Sequence, residues 1–222
     1  MELIMLGTGN AMVTRCYNTC FVLSSGEEYF LVDAGGGNGI FKQLEQAGVP
    51  FTGIREMFVT HAHTDHILGA IWVIRKIATL MSNDKYRRNF IVYGHNEVID
   101  ALRTFCRLTL PGKILKYIDE RIFWGEVKDG TRKEILGLPI CFFDILSTKM
   151  KQFGFRVLLP DGQVLVCLGD NLIMRPVRNM SNRPTGYWPK LFVCIATGKF
   201  FHLMKNITVL LWMPVVWPKL WG

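Results

Sequence analysis

Acidic residues are absent from the last quarter of this 222-residue chain. All 18 Asp and Glu residues lie within residues 1–170, together with 19 of the 26 Lys and Arg residues, so charge is nearly balanced there. The formal net charge of +8 therefore comes mainly from residues 171–222, which hold seven basic residues. A basic nucleic-acid surface is accordingly not predicted for residues 1–170.

Other absences narrow the class of protein further. The six cysteines are scattered without a Cys-x-x-Cys pair, which predicts free, mostly buried thiols. The first residues run into Gly7-Thr8-Gly9 without the apolar stretch and cleavage site of a signal peptide, so we expect a cytoplasmic protein. The apolar stretch Ile207–Trp217 has 11 residues and contains Pro214, which is too short to cross a bilayer, and no membrane association is predicted.

Short apolar runs alternate with helical patterns, which predicts an α/β fold over residues 1–170. The Gly35–Gly37 run and Pro160-Asp161-Gly162 indicate a loop and a hairpin turn between these elements. Helices are predicted at 38–47, 67–81 and 97–108, and strands at 2–6, 19–23, 29–32, 57–59, 90–93, 140–143, 153–159 and 164–167.

One motif carries most of the chemical information. Directly after the predicted strand 57–59, the chain reads His61-Ala-His63-Thr-Asp65-His66. Imidazole nitrogens and carboxylate oxygens bind zinc at about 2.0–2.2 Å, so four such groups within six positions can share one or two ions. A histidine-rich loop without metal is the alternative interpretation, and the strand before and helix after the motif favour a metal site.

Four motifs in this order resemble the metallo-β-lactamase superfamily, and more closely its ribonuclease Z-like branch. They are the opening Leu6–Ala11 with Cys16–Thr19, the strand Phe30–Gly35 with Asp33, the His61–His66 motif, and Leu168-Gly169-Asp170. The resemblance covers about residues 1–170 and implies an αββα sandwich, incomplete at its C-terminus, with the metals at one edge of two sheets.

The resemblance also implies roles for individual residues. His61 and His63 would bind a first metal, Asp65 and His66 a second, and Asp170 would bridge them. Asp33 would orient the metal loop from behind the ligands, and Asp65 could also accept a proton from the attacking water. Zinc is the expected ion, two in the intact family and one or two here. Without the resemblance, Asp33 and Asp170 read equally well as turn residues.

Two departures from the family pattern bear on activity. The family has a histidine where this chain has Leu146, in the stretch Asp144–Lys149, so a third imidazole would be missing. A subgroup that never used a histidine there is the alternative. The family also continues past the bridging aspartate with a further metal-binding histidine, which has no clear counterpart here.

Residues 171–222 form a tail of unusual composition. The tail holds four of the six tryptophans and five of the nine prolines, and lacks a sustained periodic pattern. So abrupt a change suggests translation in the wrong frame, and we hypothesise a frameshift just after Asp170, so that the tail is not a native domain. A basic RNA-binding arm is a competing interpretation of the tail.

The sequence predicts a metal-dependent hydrolase. Within that class, a ribonuclease Z-like phosphodiesterase is the favoured prediction. A cyclic nucleotide, a lactone or another ester are alternative substrates, and RNA and a second copy of the chain are the candidate partners. A catalytically impaired or inactive remnant of such an enzyme is the second hypothesis, because Leu146 and the tail replace two expected histidines.

Overall fold

The computed structural model describes residues 1–160, 162 and 164–170, and the backbone of 191–194. These residues form two β-sheets and four helices. The strands are β1 (Glu2–Gly7), β2 (Cys20–Ser25), β3 (Glu28–Val32), β4 (Ile54–Phe58), β5 (Phe90–Gly94), β6 (Ile122–Glu126), β7 (Arg132–Ile135), β8 (Leu138–Asp144), β9 (Phe153–Leu158), β10 (Val164–Cys167) and β11 (Leu191–Cys194). The helices are α1 (Ile40–Gln46), α2 (Thr64–Ser82), α3 (Asn96–Thr109) and α4 (Gly112–Leu115), with a 3₁₀ turn at Phe51–Gly53.

The first sheet has the strand order β1-β2-β3-β4-β5-β6. Strands β1 to β3 pair antiparallel, whereas β3 to β6 pair parallel. The loops that follow β3, β4 and β5 therefore leave the sheet at the same edge. This edge of a parallel sheet is where ligands usually bind in α/β proteins.

The second sheet has the order β11-β10-β9-β8-β7. Strands β7 to β10 form an antiparallel meander, and β11 pairs parallel with β10. A hydrogen bond joins the two sheets next to the end of β4. The backbone N–H of Phe153, in β9, donates to the carbonyl of Thr60 at 3.0 Å.

Aromatic side chains fill the space between the two sheets. Phe58 of β4 lies 4.9 Å from Phe142 of β8 and 5.9 Å from Phe155 of β9, measured between ring centroids. All three rings are fully buried. Their packing beside β4 fixes the strand that delivers the His61–His66 motif.

A second core lies between the first sheet and the helices. Its central contribution comes from α2, whose residues Val73, Ile74 and Ile77 are fully buried against residues such as Leu31 and Met57. The cluster between the sheets contains no helix residue. Within the described residues, helices therefore cover only the first sheet.

The two-sheet α/β sandwich predicted from the sequence is confirmed, with differences in detail. Strands β6 and β7 were not predicted, because β6 contains a glycine and β7 buries only Ile135. Helix α2 begins at Thr64, three residues before the predicted start, so Asp65 and His66 belong to its first turn.

The tail was predicted to lie outside the domain. The prediction concerns residues 171–222, which lie outside the described residues except for the backbone of β11. The domain boundary after Asp170 stays a prediction. No helix in the described ranges is long and apolar enough to span a bilayer, and no disulfide joins the cysteines described there.

Candidate metal centre

Loops from both sheets meet at one edge of the sandwich. The His61–His66 motif follows β4, Asp33 follows the neighbouring parallel strand β3, and Asp170 follows β10 of the second sheet. Side chains that are far apart in the sequence therefore become neighbours. His61, Asp65, His66 and Asp33 are buried, whereas His63 and Asp170 are partly exposed.

The ligand atoms form two groups that share Asp170. The first consists of His61, His63 and Asp170, and the second of Asp65, His66 and Asp170, with the ligand atoms of each group within 4.8 Å of one another. One carboxylate oxygen of Asp170 lies 3.8 Å from His61 Nε2, and the other lies 3.2 Å from His66 Nε2. The structure thus brings together all five residues that the family resemblance implied as ligands.

The spacing of these atoms fits zinc. Two ligand atoms bound tetrahedrally at about 2.0–2.1 Å lie roughly 3.3 Å apart. In the first group His61 Nε2 is 2.8 Å from His63 Nδ1, and in the second His66 Nε2 is 3.6 Å from Asp65 Oδ2. Imidazole and carboxylate are also ligands that zinc accepts, so the donor set and its geometry agree.

Asp33 forms hydrogen bonds with the His61–His66 motif and with Thr60 just before it. Its Oδ1 accepts a hydrogen bond from the backbone N–H of Thr60 at 2.8 Å, and its Oδ2 accepts from the Thr60 hydroxyl at 2.9 Å. The same Oδ2 lies 2.8 Å from His66 Nδ1. The Thr60 hydroxyl in turn lies 2.9 Å from His61 Nδ1. Asp33 therefore contacts one imidazole directly and the other through Thr60, and its orienting role stays a prediction.

Electrostatics distinguish the two buried imidazoles. Burial, and then the charge of His66, lowers the pKa of His61 to about 3, so His61 is neutral. Burial alone would lower the pKa of His66 as well, but the carboxylates of Asp33 and Asp170 raise it to about 10. Burial would raise the pKa of Asp170, but the hydrogen bond and charge of His66 lower it. The carboxylates of Asp33 and Asp170 therefore hold a protonated His66 in the metal-free centre, and a metal ion bound by His66 would replace that proton.

Helix α2 is held at the site by a close backbone contact. The N–H of Gly69 donates to the carbonyl of Gly35 at 2.8 Å, and the N–H of Ala34 donates to the carbonyl of His66 at 3.2 Å. A Cβ on Gly69 would lie 1.8 Å from the carbonyl oxygen of Ala34, so only glycine permits this approach. The contact sets the distance between the first turn of α2 and the loop after β3.

The glycine loop after β3 is closed over Tyr17. The Tyr17 hydroxyl lies 2.9 Å from the carbonyl oxygen of Ala34 and 2.7 Å from that of Gly37. Its ring occupies the space that side chains at Gly35 and Gly39 would need. Asn18 adds a bond from the N–H of Gly36 to its Oδ1 at 3.1 Å. The Cys16–Thr19 motif thus shapes the loop that carries Asp33.

Leu146 does not contribute to the centre. Its side chain is 81% exposed, and its backbone has a positive φ of 55° in the loop between β8 and β9. Among the described residues, only His61 and His63 supply imidazoles to the first ligand group. The third imidazole that the family pattern implies is absent from this position.

The sequence did not indicate three further residues near the site. Thr60 is fully buried, and the only local signal was its position between the strand and His61. The Oε1 of Gln152 is buried without a hydrogen-bond partner, and it lies 3.3 Å from the position of a Cβ on Gly169.

His95 is the third of these residues. It follows β5 at the same edge, and both of its ring nitrogens are buried without a hydrogen bond. Its imidazole lies 5.4 Å from the Phe153 ring. Burial, and then the charge of Lys151, lowers the pKa of His95. A parallel strand ending next to β4 was the signal that could have indicated it.

Comparison with known proteins finds relatives in sequence and in fold. The model of the family described as Anti-Pycsar protein Apyc1 matches residues 1–106. Ribonuclease Z of Listeria monocytogenes is 26% identical over 170 residues, which cover 73% of this chain and 51% of that protein. The chain therefore spans about half the length of the curated relatives it matches.

Solved structures share the architecture. Human tRNase Z, short form, superposes with a TM-score of 0.60 and 20% identity, covering 77% of this chain and 69% of that one. A diphosphatase from the PhnP family superposes with a TM-score of 0.56 and 17% identity, covering 76% of this chain and 64% of that one. The chain therefore shares the fold of these structures, which is that of metallo-β-lactamase fold proteins. In sequence the chain is similar to ribonuclease Z over 170 residues.

Proposed function

We propose that this protein is a metal-dependent phosphodiesterase that binds two zinc ions in the two ligand groups. The observation that carries the proposal is the sharing of Asp170 between the groups, with one carboxylate oxygen directed to each. A shared carboxylate holds two ions close together, which is the arrangement that two-metal hydrolases use.

Each residue of the cluster has a role in this proposal. Zinc bound there would lower the pKa of water and neutralise the charge that develops on the substrate. His61 and His63 would hold the first ion, and His66 the second. Asp65, which is buried beside His66, would also hold the second ion and would accept a proton from the attacking water. Asp33 keeps the imidazoles in place through the hydrogen bonds described above.

The preference for a phosphodiester comes from the names of the relatives. Ribonuclease Z, tRNase Z and a diphosphatase all act on phosphorus centres by name. RNA, cyclic nucleotides, lactones and other esters are the substrates to compare. No long Gly/Pro and Lys/Arg-rich arm for docking tRNA is visible in the sequence, which weakens the case for tRNA.

Metal content and turnover test the proposal together. The purified protein is loaded with zinc, dialysed, and analysed by inductively coupled plasma mass spectrometry, and hydrolysis of bis(p-nitrophenyl) phosphate is followed by absorbance. We expect two ions per chain and turnover that chelation abolishes. The Asp170→Asn variant has nearly the same shape but no carboxylate, and it should lose both zinc binding and turnover. Turnover that survives in Asp170→Asn would contradict the shared-carboxylate mechanism.

A remnant of such an enzyme is the second candidate, and Leu146 is the observation that favours it. The exposed Leu146 side chain supplies no ligand, so the first ion would have two imidazoles where the family pattern has three. One ion or none per chain, without turnover, would support the remnant. Resequencing the gene across codon 171 tests the proposed frameshift, since an uninterrupted frame for the printed tail would refute it.

The proposal also covers the oligomeric state and the cellular compartment of the protein. We propose a cytoplasmic homodimer, for which sedimentation equilibrium gives the direct test. A chain that sediments as a monomer of 25.4 kDa at micromolar concentration would exclude the dimer.

A further inference from the structure

Thr60 occupies the junction of the two sheets and the two ligand groups. It is fully buried, and every one of its polar groups has a partner. Its N–H and hydroxyl both bond to Asp33, its hydroxyl also contacts His61, and its carbonyl accepts from Phe153. No ligand role is available to a hydroxyl in that position, because it faces the far side of the His61 ring from Asp170.

The hydrogen-bond pattern fixes where the protons lie. A threonine hydroxyl has one proton to donate, and an ionised carboxylate can only accept. The hydroxyl of Thr60 therefore donates to Asp33 Oδ2, and it can only accept from His61 Nδ1. Nδ1 of His61 must then carry the proton, which leaves the lone pair on Nε2, the nitrogen that lies 2.8 Å from His63 Nδ1 and 3.8 Å from Asp170 in the first ligand group.

The second buried imidazole is held in the same orientation. Nδ1 of His66 lies 2.8 Å from the same Asp33 oxygen, and its Nε2 faces Asp170 at 3.2 Å. Asp33 thus acts on both ligand groups, directly on His66 and through one hydroxyl on His61. The two routes differ, because Thr60 contacts the imidazole of the first group directly and reaches that of the second only through Asp33.

We propose that Thr60 is a positioning residue that selects the metal-binding tautomer of His61 through its hydroxyl. The proposal rests on the proposed zinc site, but the tautomer itself is a property of the metal-free protein. Removing the hydroxyl leaves His61 Nδ1 without an acceptor, so the other tautomer, with its proton on Nε2, becomes accessible. Loss of a group that supports a zinc ligand weakens metal binding by about 10–100-fold.

A pair of substitutions separates the hydroxyl from the side-chain volume. Thr60→Val keeps the shape of the residue and removes the hydroxyl, whereas Thr60→Ser keeps the hydroxyl and removes a methyl group. Zinc titrations followed by the ¹⁵N signals of His63 and His66 report the two groups separately. We expect Thr60→Val to weaken zinc binding at His63 by about 10–100-fold, to change binding at His66 much less, and Thr60→Ser to restore binding at His63.

The metal-free parent protein provides a direct readout. Its ¹⁵N spectrum at pH 7.5 should show His61 as the tautomer protonated on Nδ1, and in Thr60→Val the Nε2-protonated form should appear. Should Thr60→Val fail to fold, Thr60→Ala, which adds no volume, takes its place. A parent His61 protonated on Nε2, or equal weakening of both groups that serine does not restore, overturns the proposal. Neither readout requires turnover, so a chain that binds zinc without hydrolysing bis(p-nitrophenyl) phosphate refutes the proposed function alone.

Discussion

Substituting Gly69 by alanine should separate the second ligand group from Asp170 before it unfolds the domain. A Cβ on Gly69 would lie 1.8 Å from the carbonyl oxygen of Ala34 and 2.9 Å from that of Gly35. Ordinary van der Waals contact begins near 3.4 Å. Helix α2 must therefore move away from the loop after β3 by roughly 1.5 Å to accept the methyl group.

The size of this shift sets the expected effects. Overpacking of this kind costs about 1–3 kcal/mol, whereas domains are stable by about 5–15 kcal/mol, so most molecules should stay folded. Zinc–ligand distances, in contrast, are held within about 0.2 Å. His66 lies one turn before Gly69 on the same helix, and a shift several times larger than that tolerance should abolish zinc binding by Asp65 and His66.

Zinc stoichiometry and stability are measured on the same samples. Inductively coupled plasma mass spectrometry of dialysed protein gives the ions bound, and urea unfolding followed by tryptophan fluorescence gives the free energy of unfolding. Gly112→Ala is the matched control, because a Cβ there meets nothing within 4 Å in the short helix α4. Gly69→Ala should bind one ion fewer than the parent and unfold at lower urea, and Gly112→Ala should match the parent. A Gly69→Ala protein with full zinc content and unchanged stability would refute the close contact.

Three further substitutions test other parts of the site. Leu146→His should raise zinc affinity by at least about tenfold, since losing even a supporting group costs about 10–100-fold; Leu146→Gln is the control, and equal titration curves would contradict the missing-ligand interpretation. His95→Phe removes two buried, unpartnered nitrogens beside Phe153 and should raise the free energy of unfolding by about 1 kcal/mol at pH 7.5. Because burial lowers the folded-state pKa of His95 below its ordinary 6.5, the parent should also lose stability as the pH falls below 6.5, and urea midpoints at pH 7.5 and 5.5 should differ less in His95→Phe than in the parent. Tyr17→Phe removes the hydroxyl that holds the glycine loop and should cost about 1 kcal/mol in urea unfolding; an unchanged midpoint would show that the ring alone shapes the loop.

Regular apolar patterns allowed most of the fold to be predicted. Strands β1, β2, β3 and β5 and the middle of helix α2 carry apolar runs whose residues are mostly buried. Strand β7 escaped prediction because it is an edge strand with three exposed residues and only Ile135 buried. The start of α2 was placed too late, since its first turn consists of polar residues that face the ligand cluster and not the core.

The candidate site could be predicted only in part from local sequence. The spacing of His61, His63 and His66 marks a metal motif by itself, whereas Asp33 and Asp170 were joined to it only by the family resemblance. Their proximity depends on β3 and β4 being parallel neighbours and on β10 lying in the facing sheet. Thr60 has no local signature, because its role arises from a carboxylate 27 residues earlier in the chain.

The position of Asp170 in the chain has a consequence for folding. Among the residues that the structure describes, Asp170 is the only candidate ligand that follows a strand of the second sheet, and it follows His66 by about a hundred residues. An ion held by both Asp170 and His66 would act as a reversible cross-link. In the chain-entropy model, a link that closes a loop of about 100 residues raises the free energy of the unfolded chain by about 4.7 kcal/mol. During synthesis the link cannot form until the last strand of the antiparallel meander has left the ribosome. Metal supply in the cell would then govern the lifetime of the folded protein as well as its chemistry.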